Sequence, residues 1–278
     1  MPAAGLIKNA DDARELGCII GDALALLGFN LDFAPVVDVI DAGRSQNVNG
    51  LYSRGFGKSA NDVVENAGAF LQAMQDRAVL GCLKHFPGLG AARVDSHEDL
   101  PVIATSEADF VDVDLRPFRE LIAGGNVAAV MAAHAVFPAI DSQFRNSHSQ
   151  SLPASLNPDY IDGLLRRDLG FTGIVITDDL EMGAIAKNYG IGEACRLAIA
   201  AGVDVLAICS DPAKIIEGYR SILEAVLNGE IAEARIDASL MRIAQIKSRI
   251  PASPEFDSDK IVQLANQVAT LSERLTHN

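Results

Sequence analysis

Lys84-His85-Phe86-Pro87-Gly88-Leu89-Gly90, followed by Asp95-Ser96-His97, sets a lysine, two imidazoles, a carboxylate and glycines within fourteen residues. Lysine donates hydrogen bonds without accepting them, which suits neutral polar oxygens. Histidine titrates near neutrality, and a carboxylate two residues away can tune it and fix its tautomer. A second concentration of charge lies at Asp178 and Asp179, directly after the apolar run Gly173-Ile174-Val175-Ile176-Thr177. A carboxylate at the end of a buried strand has its direction fixed by the backbone, so Asp178 is placed to attack an electrophile. The alternative for Asp178 is a cap on a following helix, a role that Asp179 fits better. His85, Asp95 and His97 match no standard zinc spacing, so neither a metal nor a cofactor is expected.

The elements that must position these groups alternate. Residues 11–27 carry Leu16, Ile19, Ile20, Ala23, Leu24 and Leu27 at helical spacing, closed by Gly28. Leu31 to Val39 reads as a strand ending near Asp38. A helix over 59–75 leads into the strand Ala78-Val79-Leu80-Gly81-Cys82-Leu83, which opens into a polar loop at Lys84. A helix over 107–123 carries Pro117 as a kink or restart. A strand over 127–133 ends at His134. Asn157-Pro158 starts a helix that Gly170 ends. After the strand into Asp178 come a helix over 191–200, a strand over 203–209, and helices over 212–227, 231–248 and 258–275. Polar groups stand at the end of each strand: Asp38, Lys84 with His85, His134, Asp178, and Ser210 with Asp211. That distribution favours an α/β barrel with its site on the C-terminal face over an open sheet with one ligand crevice. Only five strands are legible, whereas a closed barrel has eight. An open sheet of five strands would expose its edges and apolar surface.

The 278 residues, 49% of them hydrophobic, suffice for a large core and argue against disorder. With 23 basic and 37 acidic residues the net charge is −14, which argues against a nucleic-acid partner. No apolar run approaches the ~20 residues needed to cross a bilayer, so no membrane association is expected. Cys18, Cys82, Cys195 and Cys209 show no paired spacing and read mainly as buried thiols. The start lacks a basic, apolar leader, so the expected location is cytoplasmic, with export left open because a signal can lie upstream. His148 and His277 read as surface residues.

The segments Asp32 to Val39, Ser53-Arg54-Gly55-Phe56-Gly57, Lys84 to Gly90, Asp95-Ser96-His97, Met131 to Phe137, Pro153-Ala154-Ser155 and Thr177 to Met182 occur in the order seen in glycoside hydrolase family 3. The chain resembles the β-N-acetylglucosaminidase (β-hexosaminidase) branch of that family. The resemblance implies an α/β fold, a (β/α)8 TIM-type barrel that lacks its N-terminal strands in this chain, as one catalytic domain over 1–278 with a helical tail at 250–278. It implies that three strands and an Asp-Gln-Glu-Gly-Gly-Arg motif precede Met1. Leu89 stands where many members carry histidine.

The resemblance implies a retaining exo-β-N-acetylglucosaminidase acting on terminal β-linked N-acetylglucosamine, with peptidoglycan turnover fragments as the source. Such a reaction needs a nucleophile on one face of the anomeric carbon and a proton donor at the leaving oxygen. By resemblance Asp178 is the nucleophile, and His97, oriented by Asp95, is the acid/base. Arg54, Lys84 and His85 bind sugar hydroxyls, and Arg54 can fork to two oxygens. His134 lines the pocket or is a hydrogen-bonded core histidine. Asp38 touches the ligand or supports Lys84. His97 taken without its motif is an exposed loop histidine. Gly88 and Gly90 can let the loop swing His97 toward the substrate. The expected partner is a small carbohydrate, and the oligomeric state is open. Competing readings are a phosphorylase in which phosphate replaces water, another β-glycosidase such as a β-glucosidase, a metal hydrolase using His85, Asp95 and His97, and an inactive truncated barrel that is poorly stable alone.

Overall fold

The computed structural model describes residues 1–47, 50–144 and 152–277. His148 therefore lies outside the described residues. Five strands form one sheet: β1 (Leu31–Asp32), β2 (Leu80–Phe86), β3 (Ala129–Ala132), β4 (Ile174–Asp179) and β5 (Val205–Ala207). Every neighbouring pair is parallel, and the order across the sheet is the order along the chain. All crossovers thus advance in one direction, as in the wall of a (β/α)8 barrel; a doubly wound sheet reverses partway. The longer helices are α1 (Ala10–Leu26), α2 (Ala60–Gln75), α3 (Arg116–Ala123), the π-helical α4 (Asp159–Asp168), α5 (Ile191–Ala201), α6 (Pro212–Leu227), α7 (Glu233–Lys247) and α8 (Ser258–His277).

Local chemistry explains the boundaries. The Asn9 side chain accepts the N–H groups of Asp11 and Asp12, both at 3.0 Å, and so starts α1. Ser59 and Asp62 exchange side-chain and backbone hydrogen bonds at the head of α2. α1 and α2 lie so close that a Cβ on Gly17 would meet the Phe70 carbonyl at 2.5 Å.

Strand alternation splits the core in two. Leu83, Val130 and Val175 face the helices and join Leu16, Val63, Phe70, Phe118, Leu165 and Ala198. Cys82, Met131, Ile174 and Ile176 face the opposite way and pack with Ile243, Ile246 and Ile250 at the end of α7. Apolar surface expected to lie open on that face is therefore covered by the C-terminal part of the chain. Exposure remains near the β1 edge, at Phe29 and Phe33, and on α6, at Ile215, Ile216 and Tyr219.

Three expectations are corrected. β1 spans two residues instead of nine; Pro35 has no N–H to give to a ladder, and the segment beyond β1 stays beside β2 through the Ala34 and Pro35 carbonyls, which accept the Cys82 and Lys84 N–H groups, and the Val37 N–H, which donates to the Lys84 carbonyl. β2 extends through Phe86, so Lys84 and His85 belong to the strand and not to the loop after it. The range 107–123 is helical as expected, as an α-helical turn Glu107–Asp109, a π-helical stretch Phe110–Asp114 and then α3, which restarts with Pro117 in its first turn, where a missing N–H costs little. Cys82 and Cys195 are buried as expected, but Cys209 is exposed beyond the end of β5. His277 is exposed. Among the described residues no helix is long and apolar enough to cross a membrane.

At the opposite end of the sheet from the polar strand ends, Asp204 is fully buried before β5. It accepts hydrogen bonds from Arg166 at 2.5 Å, Arg242 at 3.0 Å, Ser239 at 2.6 Å and the Val175 N–H at 2.9 Å, and Arg235 stands 3.6 Å away. This one carboxylate ties α4, α7 and the start of β4 together. Removing it leaves three guanidinium groups around a buried void, and breaking a buried pair this way costs about 3–5 kcal/mol. Asp204→Ala is expected to lower the melting temperature by about 10 °C in a thermal melt. An unchanged melt would show that the cluster carries no stability.

Candidate functional site

The C-terminal ends of β2, β3 and β4 lie side by side and bring together Lys84 and His85, His134, and Asp178. The register slips between Lys84 and Phe86, so β2 is irregular where it delivers these groups. His85 is buried, and its imidazole spans two carboxylates. Nδ1 lies 2.8 Å from Asp38 Oδ2, and Nε2 lies 3.8 Å from Asp178 Oδ2. Asp38 is fully buried at its side chain. It also accepts the N–H groups of His85 at 3.3 Å and Leu89 at 2.6 Å. Asp38 therefore supports His85 and the start of the following loop, which replaces the expectation that it touches ligand or supports Lys84.

Asp178 keeps 20% of its side chain exposed. Burial favours its neutral form, but His85, His134, the Asp179 N–H and Lys84 together outweigh burial and hold its carboxyl below the usual carboxylate range. One carboxylate oxygen accepts the Asp179 N–H at 2.9 Å. The arrangement keeps an ionised, partly exposed oxygen at the strand end, as a nucleophile requires. Burial, with help from Arg54, pushes the Lys84 ammonium below the usual lysine value, and Asp178 works against that shift. Arg54 and Asp178 are thus both within electrostatic reach of Lys84.

His134 is 1% exposed. Its Nδ1 lies 2.7 Å from the Ser155 hydroxyl and its Nε2 lies 3.2 Å from the Asp179 carbonyl. Burial drives its pKa down, against the pull of Asp178 and Asp179, so the neutral ring donates from Nε2 and accepts from Ser155. The pocket-lining expectation gives way to the other reading, a hydrogen-bonded core histidine. Asp179 serves as a cap of a different kind from the one expected. It accepts the N–H groups of Glu181 at 3.1 Å and Cys209 at 3.3 Å, in the turn after β4 and across to the loop after β5.

His97 and Asp95 form the expected pair, with Nδ1 to Oδ1 at 2.7 Å and the His97 N–H to the same oxygen at 2.9 Å. Burial of Asp95 is outweighed by these two contacts and by Arg54, so its carboxyl stays below the usual range. The imidazole is 66% exposed. The loop backbone is docked: Gly183 and Ala184 donate to the carbonyls of His97 and Ser96, both at 3.1 Å. A Cβ on Gly183 would come within 2.3 Å of the Glu98 carbonyl, so only glycine admits this approach. Asp178 and the His97 loop therefore share one end of the sheet, linked through the short turn from Asp178 to Gly183.

The glycines before this loop, expected to let it swing, are closely packed. Gly88, at φ +131°, would place a Cβ 2.7 Å from the Asp114 Cβ, and Gly90 would place one 2.3 Å from the Val39 carbonyl. Both are packed tight, against a bidentate Arg44–Asp114 pair that sequence reasoning missed. Arg54 is partly buried. Among the described residues His85, Asp95 and His97 do not gather into a three-ligand metal cluster.

These features can be set beside known proteins. Residues 2–246 match the model of the glycosyl hydrolase family 3 N-terminal domain. The β-hexosaminidase A of Pseudoalteromonas piscicida is 32% identical over 250 residues, 87% of this chain and 41% of that protein. The β-hexosaminidase of Thiobacillus denitrificans is 36% identical over 200 residues, 72% of this chain and 52% of that protein. The chain thus spans about half the length of the curated relatives it matches. The solved structure of a glycoside hydrolase family 3 β-N-acetylglucosaminidase from Paenibacillus sp. str. FPU-7 covers 97% of this chain at 34% identity, with a TM-score of 0.83, over 51% of its own length. The family match over most of the chain, together with this sequence and structural likeness, shows that the chain belongs to glycosyl hydrolase family 3 and carries its N-terminal domain.

Proposed function

We propose that the protein is a retaining exo-β-N-acetylglucosaminidase, with peptidoglycan fragments as a source of its terminal sugar. The observation that carries this reading is the ionised, partly exposed Asp178 beside His85, with the Asp95–His97 loop docked on the turn directly behind it. The likeness to β-hexosaminidases supports N-acetylglucosamine as the sugar.

Asp178 attacks the anomeric carbon, and the bond to the leaving oxygen breaks as protonated His97 gives that oxygen its Nε2 proton. Asp95 holds Nδ1 throughout and stabilises the imidazolium before transfer. In the second step neutral His97 takes a proton from water, whose oxygen attacks the anomeric carbon and releases Asp178. Lys84 and Arg54 grip hydroxyls, and Asp38 keeps the His85 ring in register. Two displacements leave the product with the β configuration of the substrate.

Incubation of the purified protein with an aryl β-N-acetylglucosaminide, with and without phosphate, tests this. β-N-acetylglucosamine as the first sugar product, observed by NMR before mutarotation, is expected in both cases. The sugar 1-phosphate as main product would replace hydrolysis by phosphorolysis. Release of no sugar, or of the α anomer, would overturn the reading.

A further inference from the structure

We propose that the buried Arg44–Asp114 pair is the anchor of the loop that carries His97, and so a positioning element for the acid/base group. The functional part of this proposal rests on the role assigned to His97 above.

Asp114 ends the π-helical stretch before α3, and its side chain is fully buried. Arg44, 13% exposed, comes from the segment after Asp38. Its two terminal nitrogens reach the two oxygens of Asp114 at 2.5 and 3.1 Å, a bidentate geometry that fixes orientation as well as distance. Arg44 is itself held on three sides. Nη1 also donates to the Val39 carbonyl at 3.2 Å, the Arg44 N–H donates to Asp41 at 2.9 Å, and Nε lies 3.7 Å from the other Asp41 oxygen.

The Gly88-Leu89-Gly90 segment lies directly on this pair. A Cβ on Gly88 would meet Asp114 Cβ at 2.7 Å and its carbonyl at 3.1 Å; one on Gly90 would meet Arg44 Nη1 at 3.2 Å. Between them the Leu89 N–H is taken by Asp38. The loop that follows has a second fixed point where Ser96 and His97 accept the Ala184 and Gly183 N–H groups. Residues 91–95 are thus strung between a root set by Arg44–Asp114 and a tip set by the turn after β4. Among the described residues no hydrogen bond or ion pair joins Arg44 or Asp114 to Asp178, Lys84 or His97, so their effect on chemistry passes through the loop.

A role in stability alone fits poorly. Burial pushes the Asp114 carboxyl up to about 6, even with Arg44 pulling the other way, so the charged pair sits in a place that disfavours charge. Apolar residues of similar size commonly do as well in such sites. What they cannot supply is a flat, two-point contact surface at a fixed distance from two glycines.

The test uses Asp114→Asn and the double variant Arg44→Gln/Asp114→Asn, which leaves no lone buried charge if the single variant fails to fold. Hydrogen–deuterium exchange is expected to rise at least about tenfold over residues 91–99 and to stay unchanged in α1 and α2. Turnover of N-acetylglucosaminides with poor leaving groups is expected to fall about 10²-fold. Glycosyl-enzyme formation from an activated aryl glycoside should change little, because a good leaving group needs no proton. Added azide should restore part of the aryl turnover by replacing base-assisted water. A folded variant with wild-type exchange over 91–99, or with an equal loss for good and poor leaving groups, overturns the proposal. If the wild-type protein releases no sugar, the glycosidase reading falls, and the exchange result alone decides whether the pair anchors the loop.

Discussion

Asp178→Ala is expected to reduce turnover of an aryl β-N-acetylglucosaminide by about 10⁴–10⁶-fold, with little change in KM. Four residues in the strand ahead of this carboxylate are buried on both sheet faces. The backbone therefore fixes its direction, and the substitution removes a reactive oxygen without loosening β4. His85 at 3.8 Å and the nearby Lys84 keep the group ionised. Because its pKa lies below the usual carboxylate range, lowering the pH from 7 to 5 leaves it charged, and an acid limb in that window must come from another group. Two measurements isolate its role. A slow substrate that accumulates the glycosyl-enzyme should label Asp178 and no other residue by mass spectrometry. In Asp178→Ala, azide entering the vacated space should give the α-glycosyl azide, the product of one displacement. Activity within tenfold of wild type, or a label on another carboxylate, would remove Asp178 from this role.

The sequence told most where a signal was local. Apolar periodicity located α1, α2, α5 and α6 to within a residue or so, and strand count and order followed from five apolar runs separated by helices. The polar groups read at the strand ends of β2 and β4 do lie together at one end of the sheet. Errors arose where a local pattern met a distant partner. The Leu83-to-Lys84 change from apolar to charged reads as a strand end, yet the ladder to β3 continues through Phe86, because His85 finds Asp38 and Lys84 sits within reach of Asp178. His134 follows an apolar strand in the same way as Asp178, but Ser155, 21 residues on, draws it into the core. Nothing local distinguishes Asp114 from the other acids of its helix, and its partner lies 70 residues earlier. A glycine pair reads as flexibility by default. Here both glycines are explained by what presses against them, which only the packed structure reveals.

His97→Ala is expected to cut turnover by about 10²–10⁴-fold, the usual weight of a positioned proton donor. The loss should depend on the leaving group, being smallest for an activated aryl glycoside and largest for a sugar or alkyl aglycone, whose oxygen must be protonated as it departs. The exposure of the imidazole bears directly on this expectation. The His97 side chain is 66% exposed, and among the described residues Asp95 is the group that holds its ring nitrogen. Asp95→Asn should therefore reproduce a large part of the loss while leaving the fold intact, since among the described residues its carboxylate hydrogen-bonds the ring and N–H of His97. Azide should rescue both variants and give a β-glycosyl azide, because the proposed nucleophile Asp178 is intact in both and a second displacement restores the original configuration. The anomeric form of the azide product thus separates the two assignments: α from loss of the nucleophile, β from loss of the base. A His97→Ala enzyme with the same leaving-group dependence as wild type would show that the proton comes from elsewhere, and the exposed imidazole would then be an ordinary loop histidine.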